Sequence, residues 1–309
     1  MSETPLRIEH DAAGTQFVVS AAGVDLATYV YRPNTPLEES PKPYVYPLKT
    51  LSGAPVGVYR PWDHRWHKGL QMTWSHLSGD NFWGGPTFKA GAPGHGYVWR
   101  ENHGHQVHRA FDRQDVSDSG SEVSVVQGLD WIASSDEVWI DETRTLRFHG
   151  ADTDDGVWAL DFTTDLTNVH HEPLEMGSPT THGRANAGYT GLFWRGPRAW
   201  TGADVIADGG QEGDAVMGTQ GAWAAITGEH DEIDGGATVL AYAGTTTAAA
   251  PLKWFARSSA FACLNPSPAF DTEIKLEPGE SLSLSHRFVF IDRMVDRAEL
   301  EPIAQEFAL

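Results

Sequence analysis

The chain has 309 residues, and its 42 acidic residues against 22 basic ones give a formal net charge of −20. This acidic excess argues against nucleic acid or an anionic membrane surface as a partner. Apolar residues make up 40% of the chain, with 32 glycines and 18 prolines, which is typical of a turn-rich globular protein and not of a disordered one.

The cysteine content and the first residues bear on location. Cys263 is the single cysteine, so no intrachain disulfide can form and export to an oxidising compartment is not indicated. The opening MSETPLRIEHD lacks the basic and apolar segments of a signal peptide. No apolar run approaches the roughly 18 residues that span a membrane. We therefore expect a cytoplasmic protein without a membrane span, and the number of subunits stays open.

The dominant sequence period is two, which predicts β-strands. In chain order, strands are predicted at 15–21, 27–33, 70–77, 121–128, 137–149, 157–169, 221–227, 237–244 and 281–290. One face of the strand at 157–169 carries Trp158, Leu160, Phe162, Thr164 and Leu166, and one face of 281–290 carries Leu282, Leu284, His286, Phe288 and Phe290. Turn signals recur between the strands, so the sequence predicts antiparallel sheets in a sandwich.

The ends and links of this pattern complete the predicted fold. The segment 201–220 is rich in Gly and Asp, which predicts a surface loop. A helix is predicted only after residue 291, with an apolar stripe of Met294, Ala298, Ile303 and Phe307 and with Pro302 in the first turn of a short final helix. Since no repeat or linker interrupts the strands, we expect one domain over 1–309.

The segment 59–85, YRPWDHRWHKGLQMTWSHLSGDNFWGG, is the first candidate for a site. It concentrates histidines and tryptophans, namely His64, His67, His76, Trp62, Trp66, Trp74 and Trp83. Histidine changes charge near neutral pH, and indole offers a flat apolar face that suits the C–H faces of sugars. We predict that His64 and His67 are catalytic and that the substrate contacts are Asp63, Lys68, Trp74 and His76. The alternative for His76 is a buried histidine of the core.

A second polar cluster lies at 174–196, where glycines separate Glu175, His182 and Arg184. A glutamate and a histidine can divide the roles of general base and general acid when their environments separate their pKa values. Arginine can hold a carboxylate or a pair of hydroxyls. This pattern predicts Glu175 and His182 as catalytic and Arg184 as substrate-binding. The alternative is a Gly-rich turn held by an ordinary ion pair.

Two further pairs of polar residues receive different interpretations. The segment 254–266 mixes aromatic and polar groups, which predicts Arg257 and Asn265 as ligand contacts. Glu142 and Arg144 share one strand face between apolar neighbours, which predicts a partly buried ion pair with a structural role.

Metal and cofactor motifs are weak or absent in the sequence. A run of histidines invites a metal interpretation, namely His95, His103, His105 and His108, but the sequence has no HExxH and no CxxC. A two-histidine, one-carboxylate iron site of His64, His67 and Asp63 stays an alternative. Because no GxGxxG, Walker, GxSxG or kinase motif is present, no cofactor is predicted.

Several of these motifs together resemble the PmoA-like family, labelled "methane oxygenase PmoA". They are Asp63-His64-x-x-His67-Lys68-Gly69-Leu70, Asp80-Asn81-Phe82-Trp83, Glu142-x-Arg144, Gly183-Arg184 and Leu276-x-Pro278-Gly279-Glu280-Ser281. The family loop usually reads D-H-P-H-H-R-G-L-W, whereas Arg65, Trp66 and Lys68 replace its proline, middle histidine and arginine here. The resemblance covers roughly residues 15–292.

This resemblance implies an antiparallel β-supersandwich like that of galactose mutarotase, and sugars or sugar-derived ligands. In mutarotase-like enzymes a histidine protonates the ring oxygen while a carboxylate takes a proton from the anomeric hydroxyl. By type, the resemblance offers His64, His67 or His182 as the acid and Glu175 as the base.

The sequence therefore predicts an all-β cytoplasmic enzyme that performs cofactor-free acid–base chemistry on a sugar or an oxidised glycoside. The reaction would be of the epimerase or lyase type. Two alternatives stay open. One is a metal-dependent oxygenase or lyase that uses the same histidines, and the other is a non-catalytic sugar-binding protein with tryptophans as a stacking platform.

Overall fold

The computed structural model describes residues 4–309, and its regular structure is almost entirely β. The strands are β1 Leu6–His10, β2 Gln16–Ala21, β3 Val24–Val30, β4 Tyr44–Leu48, β5 Leu70–Trp74, β6 His76–Leu77, β7 Thr87–Phe88, β8 Tyr97–Val98, β9 His105–Val116, β10 Glu122–Ile132, β11 Val138–Asp152, β12 Val157–Asn168, β13 Leu174–Gly177, β14 Thr190–Arg195, β15 Asp204–Ala207, β16 Trp223–Glu229, β17 Gly236–Thr246, β18 Lys253–Arg257, β19 Cys263–Ser267, β20 Ile274–Leu276 and β21 Ser281–Ile291. The helical elements are short 3-10 turns at Leu37–Glu39, Arg198–Trp200, Asp208–Gly210 and Gly213–Val216, and the α-helix α1 Arg297–Glu306.

Two large antiparallel sheets dominate the architecture. The first sheet has the order β1-β2-β3-β4-β5-β14-β19-β18, and the second has the order β15-β16-β17-β21-β12-β11-β10-β9. Smaller sheets are formed by β20-β13-β6 and by the β7–β8 hairpin, and the paired strands run antiparallel throughout. The predicted all-β, antiparallel fold with a short C-terminal helix is confirmed.

One shared hydrophobic core lies between the two large sheets. It contains Met72 and Leu192 from the first sheet and Leu160 and Phe288 from the second. The two strand faces predicted from alternation, on β12 and β21, are both buried as expected. Period-two alternation decides this burial because successive side chains of a strand point to opposite faces of its sheet.

The core also encloses the predicted ion pair of Glu142 and Arg144. Nε of Arg144 donates to Oε1 of Glu142 at 2.7 Å, and neither side chain is exposed to solvent. Trp131 Nε1 and Thr164 Oγ1 donate to the same carboxylate, at 2.7 and 2.6 Å. The pair is confirmed, and its burial is complete because these donors satisfy the carboxylate that burial strips of water.

One predicted strand and one predicted loop need correction. The strand predicted at 70–77 is broken at Ser75, so that β6 joins the three-stranded sheet instead of continuing β5. The predicted loop at 201–220 contains β15 and two 3-10 turns, because β15 pairs with the edge of β16.

The C-terminal helix begins later than its stripe predicts. A capping box fixes the start, since Asp296 accepts from the Glu299 backbone N–H at 3.0 Å and Glu299 accepts from the Asp296 backbone N–H in return. Pro302 therefore lies inside the helix and not in its first turn, and Met294 lies before it. No helix of the described chain is both long and apolar enough to cross a membrane.

Candidate functional site

The outer face of the first sheet carries a second apolar layer, away from the core. On β14, Leu192 and Trp194 face the core while Phe193 faces outward, and on β18 the outward residue is Phe255. A pocket of about 480 Å³ opens above these outward rings. Its aromatic walls are formed by Trp66, Trp83, Tyr97, Tyr189, Phe193, Phe255 and Phe261. Its ionisable side chains include Asp63, His64, His67, His95, Arg184 and Arg257.

The loop of residues 59–69, here called the histidine loop, delivers two histidines to this pocket. Gly69 ends the loop at a backbone φ of +57°, and a Cβ atom there would lie 2.2 Å from the carbonyl oxygen of Val45. Only glycine fits so close an approach in this left-handed conformation. The glycine lets the chain turn sharply into β5, so that His67 lies against the sheet with 2% of its surface exposed.

Ion pairs to the buried carboxylate of Glu39 stabilise the histidine loop. Nζ of Lys68 lies 3.1 Å from Oε2 of Glu39, and Nε of Arg60 donates to the same carboxylate oxygen at 3.0 Å. Burial lowers the pKa of Lys68 to about 8, although Glu39 opposes this shift. Arg60 and Lys68 belong to the histidine loop, and neither they nor Glu39 line the pocket, so their ion pairs hold the shape of the loop.

His64 and His67 stack on each other in the pocket wall. Their ring centroids are 4.8 Å apart and their planes differ by 20°. Nη1 of Arg195 lies 3.1 Å from Nδ1 of His67. A guanidinium can only donate hydrogen bonds, so Nδ1 of His67 accepts and the proton of its neutral ring lies on Nε2.

His64 has the opposite arrangement. Its buried Nδ1 lies 3.1 Å from Oδ2 of Asp63, close enough for electrostatic attraction but not aligned for a hydrogen bond. A carboxylate beside Nδ1 favours the proton on that nitrogen and leaves Nε2 as a lone-pair acceptor. Asp63 is itself held by an ion pair with Arg198. The two imidazoles thus favour different tautomers: Nε2 is an acceptor in His64 and an N–H donor in His67.

The pKa values of both rings favour their neutral forms at pH 7. Burial is the main cause of the lowered pKa of His64, and Asp63 partly offsets it. Burial, followed by the repulsion expected from a protonated His64 and from the Arg195 guanidinium, holds the pKa of His67 well below its ordinary value. A neutral imidazole can accept a proton through one nitrogen and donate a hydrogen bond through the other.

Two arginines stand on the side of the pocket formed by β18 and the 184–189 segment. The guanidinium of Arg184 donates to the hydroxyl of Tyr97 and lies 4.8 Å above the Tyr97 ring. Arg257 donates to the carbonyl of Asn186 at 2.9 Å and lies 4.8 Å above the Phe255 ring. These contacts fix both cations without neutralising them.

The β7–β8 hairpin separates this pocket from a second cavity of about 880 Å³. Pro93, in the hairpin loop, lines both spaces. The second cavity contains His76 and His182, whose ring centroids are 4.2 Å apart, together with Arg100. The two histidines therefore meet each other, but they do not line the pocket of His64 and His67.

Of the residues predicted from sequence, the aromatic pocket brings together Asp63, His64, His67, Arg184 and Arg257. Four predicted residues lie outside both cavities. Trp74 is an inward residue of β5 and lies wholly in the core, because its strand position points it between the sheets. Lys68 is buried against Glu39. The predictions of Trp74 and Lys68 as ligand contacts are therefore corrected.

Asn265 and Glu175 are likewise corrected. The Asn265 amide donates to the backbone oxygens of Thr190 and Leu192, each at 2.7 Å, so it joins β19 to β14. Glu175 is an exposed residue of β13 opposite Lys275, because β13 belongs to the separate three-stranded sheet. Neither side chain lines the pocket.

The predictions missed several pocket residues, namely Tyr97, Tyr189, Phe193 and Phe261. The segment TGLFWR of β14 carried one signal for Phe193, because a strand without alternating polar residues is covered on both faces. It indicates a second apolar layer outside the core. As for metals, residues 4–309 contain no group of three or more His, Cys, Asp or Glu side chains placed to hold one ion.

Residues 16–305 match the protein family described as "Family of unknown function (DUF6807)", and the chain belongs to this family. No curated protein matches the sequence. Among solved structures, the chain is similar to a GalM/aldose epimerase homologue from C. elegans, with 9% identity, a TM-score of 0.31, and coverage of 95% of this chain and 100% of that one. It is also similar to a polysaccharide lyase, with 12% identity, a TM-score of 0.27, and coverage of 94% of this chain and 33% of the lyase.

Proposed function

We propose that this protein is an enzyme that performs acid–base chemistry on a sugar or an oxidised glycoside, as an epimerase or a lyase. The observation that carries the proposal is the stacked pair of His64 and His67, which presents an acceptor nitrogen beside an N–H donor in an aromatic pocket. The resemblance of the motifs to the PmoA-like family, which is not the family that the chain matches, implies the same class of ligand. The Asp63–His64 pair takes over the role that the sequence assigned to Glu175.

The pocket suits a ligand of monosaccharide size. Its volume of about 480 Å³ lies within the ordinary range for small-molecule sites. Flat rings such as Trp66 and Trp83 can stack against the C–H faces of a sugar, while the histidines reach its oxygens. We expect the hydroxyl groups of the sugar to face His64 and His67.

In the proposed reaction, His64 is the general base. Its Nε2 takes a proton from a hydroxyl or from a carbon next to a carbonyl, and Asp63 stabilises the imidazolium that results. The electron pair of a broken C–H bond passes into an enolate, whose oxygen accepts a hydrogen bond from Nε2–H of His67. In a lyase, the enolate then expels an oxygen substituent from the next carbon, and this oxygen takes the proton held by the His64 imidazolium as it leaves. In an epimerase, the enolate carbon instead takes a proton from water on its opposite face, and the His64 imidazolium returns its proton to solvent.

Proton exchange in D2O tests this proposal whatever the product of the reaction is. A panel of sugars and keto-glycosides is incubated with the protein, and ¹H NMR follows the loss of C–H signals, new alkene signals and the rate of anomer interconversion. We expect the wild type to act on at least one compound. His64→Gln should then lose about 100-fold or more of the rate, as removal of a general base typically does.

His76→Gln is the matched control, because this histidine lies in the second cavity. It should keep the wild-type rate, and His67→Gln should fall with His64→Gln. Full activity of His64→Gln would refute the proposal. Sugar binding with no exchange and no product in the wild type would instead identify a non-catalytic sugar-binding protein, which the aromatic walls would also serve.

A further inference from the structure

The charge inside the pocket is opposite in sign to the charge of the whole chain. The protein carries a formal net charge of −20, yet two arginines line the pocket against a single acidic side chain, Asp63. Asp63 is already engaged by Arg198 and His64. The lining therefore holds positive charge that its own carboxylate does not neutralise.

Neither Arg184 nor Arg257 has a carboxylate partner within 4.0 Å in residues 4–309. Most other arginines of this acidic chain do, including exposed ones such as Arg113. The two pocket arginines are held instead by a tyrosine hydroxyl, a backbone carbonyl and ring faces. Each keeps N–H groups and full charge for another acceptor.

The two cations also converge. Arg257 donates to the carbonyl of Asn186, two residues after Arg184. Tyr189 connects the two cations, because its ring lies 5.4 Å from the Phe255 ring beneath Arg257 and its hydroxyl reaches toward the partner of Arg184. That hydroxyl lies 2.8 Å from the hydroxyl of Tyr97, which binds Arg184. One place on the pocket wall is thus approached by both cations and by two phenol groups.

From this convergence we infer that the site is specific for an anionic monosaccharide, whose carboxylate or phosphate binds between Arg184 and Arg257. The inference rests on the proposed function for the sugar part of the ligand and adds its charge. Planar guanidiniums bind carboxylates and phosphates with paired, charge-assisted hydrogen bonds, which are about twice as strong as neutral ones. A neutral sugar would leave both cations partly desolvated and unpaired, which disfavours its binding.

Calorimetric titration with matched sugars tests the inference. D-galacturonate and D-galactose differ only in a carboxylate against a hydroxymethyl group, and D-glucuronate and D-glucose form a second such pair. The corresponding 6-phosphates separate phosphate from carboxylate recognition. We expect one anionic sugar to bind the wild type at least about tenfold more tightly than its neutral parent, and to weaken as sodium chloride is added.

Arg184→Gln and Arg257→Gln should each weaken the anionic sugar about tenfold or more and leave the neutral sugar within about twofold. Arg100→Gln is the matched control, since Arg100 lines the second cavity and should have no effect. Equal affinity for anionic and neutral sugars would overturn the inference. So would undetectable binding of all six sugars at millimolar concentration, or a loss of binding in Arg100→Gln equal to that in the pocket variants.

The two proposals fail in different ways. If a neutral sugar undergoes exchange that depends on His64 while both arginine variants behave as wild type, the charge inference fails and the proposed function stands. If an anionic sugar binds through the arginines but shows no exchange or product in the wild type, the proposed catalysis fails and the charge inference stands.

Discussion

Gly69 allows a stability prediction that needs no ligand. Gly69→Ala places a Cβ atom 2.2 Å from the Val45 carbonyl oxygen, more than 1 Å inside an ordinary contact, at a backbone φ of +57°. The left-handed conformation alone costs an L-residue about 1–2 kcal/mol. Because the crowding atom belongs to the backbone of β4, relief requires a shift of the strand, which we expect to add about 1–3 kcal/mol.

Gly213→Ala is a matched control for the conformational part of this cost. Gly213 has the same φ of +57°, but no atom lies within 4 Å of its Cβ position. Urea unfolding followed by tryptophan fluorescence should give free energies of unfolding that differ between the two variants by about 2 kcal/mol, with Gly69→Ala the less stable. Equal destabilisation would refute the reasoning that backbone crowding fixes this turn.

Two further predictions use buried ionisable groups. Burial lowers the pKa of His286 to about 4, so the unfolded chain binds more protons between pH 6.5 and 4 and stability falls as the pH drops through this window. This residue should cost the wild type about 3 kcal/mol of unfolding free energy between pH 7 and 4. Urea unfolding at both pH values should show a smaller loss of unfolding free energy in His286→Leu. The exposed control His171→Gln should lose as much as the wild type. In urea unfolding, Glu39→Gln should destabilise the protein by about 3–5 kcal/mol, because it leaves buried Lys68 without its counter-charge. The control Glu38→Gln changes the exposed neighbouring residue and should stay within about 0.5 kcal/mol of wild type. Similar values for the two variants would contradict this account of the histidine loop.

The fold was predictable from sequence where a local rule decides it. The inward faces of β12 and β21 follow from period-two alternation alone, because the pleat fixes which side chains share a face. The start of the C-terminal helix was also within reach, since the Asp296 and Glu299 pair is a capping signature. The apolar stripe misplaced it because Met294, which lies before the helix, continues the helical spacing.

The site was predictable only in part, for a different reason. His64, His67 and Asp63 lie within five residues, so composition alone drew attention to them. Alternation could not say which tryptophan meets a ligand: Trp74 points into the core from a strand, while Trp66 reaches the pocket from a loop.

The rest of the pocket depends on contacts that no local pattern records. Phe193 and Arg257 reach the histidine loop across more than a hundred residues, through the pairing of β14 with β5 and of β19 with β14 and β18. Spacing made Glu175 look like a partner of His182, but Glu175 is exposed on β13 opposite Lys275, whereas His182 lies in the following turn against His76. Only strand order reveals such separations.

The hairpin of β7 and β8 has a mechanical consequence for the two cavities that it divides. Its strands pair through Thr87 with Val98 and Phe88 with Tyr97, and the Tyr97 hydroxyl ties it to Arg184 and Tyr189 of the aromatic pocket. Because Pro93 borders both spaces, a guest that displaced it from one side would change the volume left on the other side. Two guests could then influence each other's binding without any direct contact.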